Sequence, residues 1–214
     1  LLCKLVTKIR GDDKGIVYVQ APSSKMTPEE VLEWAEYIST FNDGNTKLGL
    51  KIPPYKPILD IVDDLNKIME VNVTGLADCS TALNCLTRNV RYVSIIPGRM
   101  EEKGLDAKSH MKYANQRKDD NSDIIAGSMR TIEGLRWVSE YGAVPTIGTR
   151  VWDLVFSEMG VEEFNLLEEV KHEKYISFSP LVTEISTNLS VDFFEQMDDC
   201  GKKTYQQFSN RQKK

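Results

Sequence analysis

Thr46-Lys47-Leu48-Gly49-Leu50-Lys51-Ile52-Pro53-Pro54 places a lysine near the end of a short apolar run that two prolines close. If residues 48–52 form a buried strand, Pro53 ends it, because proline has no N–H to give to a ladder. Lys51 then sits at the carboxyl end of that strand, with its amine in an enclosed and largely apolar place. Burial disfavours the ammonium form, and a lysine held neutral attacks carbonyl carbon to form a Schiff base. The plainer alternative is a lysine that snorkels to water or pairs with a carboxylate. This stretch alone leaves both open.

The elements that would position Lys51 alternate along the chain. A β-rich run at 15–22 ends at Pro22 with Gln20 at its exit. A helix over 26–39 opens at Thr27-Pro28-Glu29-Glu30, with Thr as N-cap, Pro in the first helical position and acids in the first turn. A turn at 42–45 precedes the Lys51 strand, and a helix over 58–69 follows it. The spacing then predicts strands at 71–75 (Thr74 at its exit), 91–96 (leading to Pro97-Gly98-Arg99), 123–128 and 143–148. Helices are predicted over 78–87, 107–117, 131–141 and 151–159. Such alternation means parallel strands with crossover helices, in either an open doubly wound sheet or a closed barrel. Gln20, Lys51, Thr74, Arg99 and Ser128 all fall at strand exits, which a barrel gathers on one rim. A dinucleotide-binding sheet would carry a glycine-rich turn after its first strand, and none occurs. The expectation is therefore an α/β chain folded as a (β/α)8 barrel, one domain over 1–214.

After Met159 the alternation stops. An acidic amphipathic helix is predicted at 161–171, an apolar strand-like or irregular run at 175–185, and a helix at 191–208 that leads to the basic end 211–214. The extension 160–214 reads as structural, packing on the barrel or on a neighbouring subunit. At the other end, 1–10 reads as an amphipathic helix already under way, without the pattern of a signal peptide.

Composition excludes several classes. The 214 residues carry 27 Lys and Arg against 32 Asp and Glu, a net charge of -5. That argues against a general nucleic-acid binder, and no apolar run has the roughly 18–20 residues of a membrane span. Cys3, Cys79, Cys85 and Cys200 form no CxxC pair and have no histidine at ligand spacing, so reduced thiols in a cytoplasmic protein without a metal site are expected. Asn72-Val-Thr and Asn188-Leu-Ser match the glycosylation pattern and read as coincidental in such a compartment. His110 and His172 lie outside every motif and read as surface residues.

Five segments in order resemble the transaldolase family, in particular its short members and the fructose-6-phosphate aldolases. Leu50-Lys51-Ile52-Pro53 is similar to the family's V-K-[IV]-P strand, and Val71-Asn72-Val73-Thr74 to its N-[VC]-T strand. Tyr92-Val93-Ser94-Ile95-Ile96-Pro97-Gly98-Arg99 resembles Y-[VI]-S-x-x-x-G-R, and Ile124-Ile125-Ala126-Gly127-Ser128-Met129-Arg130 resembles L-A-A-S-[IF]-[RK]. Residues 142–149 correspond to the last barrel strand. The resemblance implies that Lys51 forms an imine with a ketose phosphate, while Thr74 and Gln20 hold a water used in proton transfer. It implies that Arg99, Ser128 and Arg130 bind the substrate phosphate, a pairing of guanidinium forks with a hydroxyl that suits the anion. No cofactor is implied, the partners are sugar phosphates, and homo-oligomers are usual. Taken singly, Arg99 and Arg130 read as salt-bridged surface groups, Thr74 as a β-former and Gln20 as an amide serving the backbone.

The resemblance breaks in three places. The family's opening strand with an acid–base aspartate, and its T-N-P strand, have no counterpart after Leu1, so the first one to two β/α units are expected upstream of it. Ile96 stands where the aldolase branch has tyrosine, and 161–186 is an insertion. The leading expectation is transfer of a three-carbon dihydroxyacetone unit between sugar phosphates. Plain aldol cleavage or synthesis, and a catalytically silent barrel used for binding or assembly, remain beside it.

Overall fold

The computed structural model describes residues 16–42, 47–148, 151, 193–196 and 198. Six parallel strands form one sheet: β1 (Ile16–Gln20), β2 (Lys47–Ile52), β3 (Glu70–Leu76), β4 (Tyr92–Ile95), β5 (Asp123–Ala126) and β6 (Val144–Pro145). Their spatial order is β1-β2-β3-β4-β5-β6. A doubly wound sheet reverses direction at a switch point, whereas this one advances by one strand at each crossover. The sheet also curls. Tyr18 on β1 and Tyr92 on β4 meet edge to face with ring centroids 5.7 Å apart, although three inter-strand steps of a flat sheet span roughly 14 Å. The result is an α/β half-barrel with a concave and a convex face.

Side-chain alternation makes the two faces chemically different. Leu48, Leu50, Ile52, Val71, Val73, Val93, Ile95, Ile124 and Ala126 alternate onto the convex side and are at most 1% exposed. They share one core with residues of the crossover helices α1 (Pro28–Ser39), α3 (Val62–Ile68), α4 (Cys79–Leu86), α6 (Ala107–Arg117) and α7 (Ile132–Glu140), among them Trp34, Leu65, Cys85, Met111 and Leu135. Each full burial of such a side chain is worth about 1.5–3 kcal/mol. The concave side carries Tyr18, Gln20, Gly49, Lys51, Glu70, Asn72, Thr74, Tyr92 and Ser94, as the pairings Gln20 to Lys51, Lys51 to Asn72 and Thr74 to Ser94 require. Its floor is fixed by Tyr18, whose hydroxyl donates to Glu70 at 2.5 Å while Lys47 Nζ donates to the same carboxylate at 2.9 Å. Only a glycine fits at position 49, because a Cβ there would strike the Tyr18 ring.

The expected capping of α1 is present. Thr27 Oγ1 accepts from Glu30 N–H at 3.3 Å and Glu30 Oε2 accepts from Thr27 N–H at 2.9 Å, a capping box with Pro28 in the first turn. Elsewhere the boundaries move. The helix read over 58–69 is two, α2 (Lys56–Leu59) and α3, with Ile61 at φ -104° and ψ 10° turning between them. A helix not foreseen, α5 (Pro97–Glu102), starts directly after β4, because Pro97 both ends the ladder and presets φ for a helix. The strands expected over 123–128 and 143–148 shorten to 123–126 and 144–145.

His110 is corrected from surface to core. It lies on α6, 2% exposed, and its Nδ1 accepts from Cys79 N–H at 3.2 Å, fastening α6 to the start of α4. Asn72 is fully buried, which excludes glycosylation in the folded state. Cys79 and Cys85 are free thiols, both buried. The predicted helices at 1–10 and 161–171, the run 175–185, His172, and the elements read at 151–159 and 191–208 apart from residues 151, 193–196 and 198 lie outside the described residues. Among the described residues no helix is long and apolar enough to cross a membrane, and no cluster of candidate metal ligands occurs.

Candidate active site

Lys51 is the last concave-facing residue of β2, since Ile52 turns to the core and Pro53 stops the ladder. Its carbonyl accepts Ala21 N–H at 2.9 Å and Gln20 Nε2 at 3.4 Å, so the exits of β1 and β2 are clasped together. The amine is pulled below the ordinary lysine range by burial, with no carboxylate acting against it. Among the described residues Lys51 makes no ion pair, and its side chain is half-buried. A lowered pKa raises the fraction of neutral nucleophile at physiological pH.

Beside it stands Asn72, paired with Lys51 in register. Its Oδ1 accepts from Ser94 Oγ at 2.8 Å, yet Nδ2 is buried and has no hydrogen-bond partner among the described residues. An unpartnered buried amide costs about 1–3 kcal/mol and points to a ligand oxygen as its missing acceptor. Thr74, 3% exposed, is the next residue up on the same face. A register shift between Thr74 and Leu76 then turns Leu76 to the core side, paired with Ile95. Thr74 is therefore the last β3 residue to face the hollow.

Three further groups stand on the same rim, because all six carboxyl ends point one way. Arg99 lies on α5, its guanidinium 5.1 Å from the centroid of the Phe193 ring. Ser128, in the loop after β5, takes the left-handed conformation with φ 57°. Gly98 locks the two loops together: a Cβ there would collide with Ser128 O and come within 3.2 Å of Arg130 Cγ. Arg130 Nε donates to Glu102 Oε1 at 3.0 Å across an exposed pair.

So the six residues singled out from the sequence gather in two groups on one edge. Lys51, Gln20 and Thr74 line the β1–β3 exits, and Arg99, Ser128 and Arg130 converge around Gly98. Two of them also do what the plainer readings expected, since Gln20 serves a backbone carbonyl and Arg130 sits in a surface ion pair.

No protein-family model matches the chain, and no curated protein matches it. Among solved structures, a mandelate oxidase mutant with a monooxide FMN adduct aligns over 77% of this chain with 10% identity and a TM-score of 0.47. The chain spans 57% of the length of that structure.

Asn72 and Ser94 are the pair sequence reasoning passed over. Asparagine in the middle of a Val-rich strand is disfavoured, and that mismatch, two residues before Thr74, was the available signal.

Proposed function

We propose that the chain is a transaldolase-like transferase that carries a three-carbon dihydroxyacetone unit between sugar phosphates on Lys51. The observation that carries this reading is the half-buried amine of Lys51, held below the ordinary lysine range by burial and in register with the Asn72 amide, whose Nδ2 has no partner among the described residues. In this reading the lone pair of Nζ attacks the ketose carbonyl, water leaves, and an iminium forms. The C3–C4 bond then breaks toward the iminium as the C4 hydroxyl gives up its proton, releasing an aldose and leaving an enamine on Lys51. The enamine adds to an acceptor aldehyde, and water frees the new ketose. Thr74 and Gln20 hold the water that shuttles protons, and Asn72 Nδ2 with Ser94 orients a substrate hydroxyl. Arg99, Ser128 and the Nη donors of Arg130 take the phosphate. Two further β/α units would close the half-barrel into an eight-stranded barrel, and a cytoplasmic homo-oligomer fits the same reading.

Ile96, 1% exposed, supports transfer over simple cleavage, because no phenol is available at that position to protonate the enamine. Incubation with fructose 6-phosphate and borohydride is expected to add one covalent mass to the peptide that holds Lys51. Product analysis with and without erythrose 4-phosphate separates transfer from cleavage. No adduct on intact protein would leave the catalytically silent barrel as the better reading.

A further inference from the structure

A short helical segment at 193–196, with Asp198 after it, lies on the rim that carries Lys51 and Thr74. It is seated on three consecutive strand exits. After β1, Asp198 accepts from Ser24 twice, from N–H at 2.5 Å and from Oγ at 2.6 Å. After β2, the Phe194 ring packs on Tyr55 with centroids 5.6 Å apart. On β3, Phe194 and Phe193 fill the space over Gly75, where a Cβ would stand 2.5 Å from Phe194 Cζ and 2.7 Å from Phe193 Cδ1. Gly75 follows Thr74 directly and has φ 79°, so both its backbone and the two rings require glycine there. The segment has two sides: Phe193 and Phe194 are 9% and 3% exposed, whereas Glu195 and Gln196 are open to water.

We propose that this segment is an apolar roof over the Lys51 hollow, latched by Asp198 on Ser24, and that it decides whether the three-carbon unit is transferred or lost to water. The proposal rests on the Schiff-base reading given above. In that reading the enamine on Lys51 has two fates. Its nucleophilic carbon bonds to the aldehyde carbon of an acceptor, which is transfer. Otherwise that carbon takes a proton from water, and the hydroxide left behind adds to the iminium carbon. The carbon–nitrogen bond then breaks as the new hydroxyl gives its proton to nitrogen, releasing dihydroxyacetone and the amine. The second fate needs water at the reacting carbon, and phenyl rings neither donate a proton nor hold a water in place. β1 and β3 flank β2 in the sheet, so a segment seated on all three exits crosses above Lys51, the last concave residue of β2. The latch uses both oxygens of one carboxylate, a charge-assisted pair that fixes the segment where packing alone would let it shift.

The test uses the full chain with Ser24→Ala, Asp198→Ala and, as a control on the exposed side of the segment, Glu195→Ala. Access to Lys51 is read as its rate of acetylation by a water-soluble succinimidyl acetate, mapped by peptide mass against exposed Lys56 as internal standard. Partition is read as free dihydroxyacetone formed per transfer from fructose 6-phosphate to erythrose 4-phosphate. Ser24→Ala keeps the carboxylate, so a change of charge cannot account for its effect. It is expected to raise both readings by about fivefold, the order of one lost hydrogen bond. Asp198→Ala raises them further, and Glu195→Ala leaves them at the wild-type level. Thermal melts establish that each variant is folded, and Ser24→Ala decides alone should Asp198→Ala unfold. Unchanged acetylation of Lys51 in the latch variants, or an equal rise in Glu195→Ala, overturns the roof. Faster acetylation with unchanged partition overturns its role in deciding the product. A wild type that borohydride cannot trap with any ketose sinks the Schiff-base reading, and the acetylation rates still decide whether the segment covers Lys51.

Discussion

Replacing Asn72 and Ser94 together by apolar residues of similar shape, Asn72→Leu with Ser94→Ala, should make the protein more stable while it abolishes trapping of a ketose. The magnitude follows from the local bonding. Wild type buries an amide nitrogen without a partner, at a cost of about 1–3 kcal/mol, and gains one Ser94–Asn72 hydrogen bond worth roughly 0.5–1.5 kcal/mol net. The double variant loses the bond together with the stranded donors, for a net gain of about 1 kcal/mol. Ser94→Ala alone removes the one side-chain hydrogen bond that Asn72 makes among the described residues and should destabilise by about 1–2 kcal/mol. For a chain of this size a 1 kcal/mol change moves the melting temperature by about 2–4 °C. Thermal melts of wild type, both single variants and the double variant form a complete cycle. If the double variant melts below wild type, the amide of Asn72 is satisfied within the fold and its place as a ligand seat fails.

Other outcomes follow from the same geometry. Lys51→Met should stabilise the fold at neutral pH. Burial lowers the folded-state pKa of Lys51, so the unfolded chain holds the extra proton, wild-type stability rises with pH through that window, and the advantage of methionine shrinks as pH approaches the ordinary lysine value; melts at neutral and alkaline pH check this. Trapping of Lys51 by borohydride should for the same reason persist at a lower pH than for an exposed lysine. Gly98→Ala, which drives a methyl into Ser128 O, should cost about 1–3 kcal/mol and weaken phosphate binding, both read on one purified sample. The Cys85 thiol, pushed up to about 12 by burial, should resist alkylation in the folded protein and react only in denaturant, as intact mass will show.

Lys51 was legible because its signal is local: an apolar run, a lysine and two prolines fix both the strand and its end. Thr27-Pro28-Glu29-Glu30 was legible for the same reason. The alternation of elements gave parallel strands, and the one-by-one strand order then separated a half-barrel from a doubly wound sheet. What sequence could not supply were pairings over long separations. Asn72 is informative only once Ser94, on the next strand, is seen to satisfy one end of its amide and leave the other bare. His110 reads as a polar helix residue until Cys79 N–H is placed against its ring. Phe193 stands far along the chain from Arg99, in a region whose pattern gave no partner. Ser128 has no sequence mark for a left-handed backbone, since that conformation is imposed by the close approach of Gly98.

Glu70 has a consequence for how a ligand would travel. Its carboxylate is engaged by an ammonium and a phenol at once, and the Tyr18 hydroxyl, raised far above its usual range by burial and by Glu70, keeps its proton at any working pH. The deep end of the hollow thus holds the Glu70 carboxylate compensated on both sides. A ligand reaching that depth would meet a neutral phenol and a carboxylate already engaged, so under the proposed function the sugar end, and not the phosphate, is the end that enters.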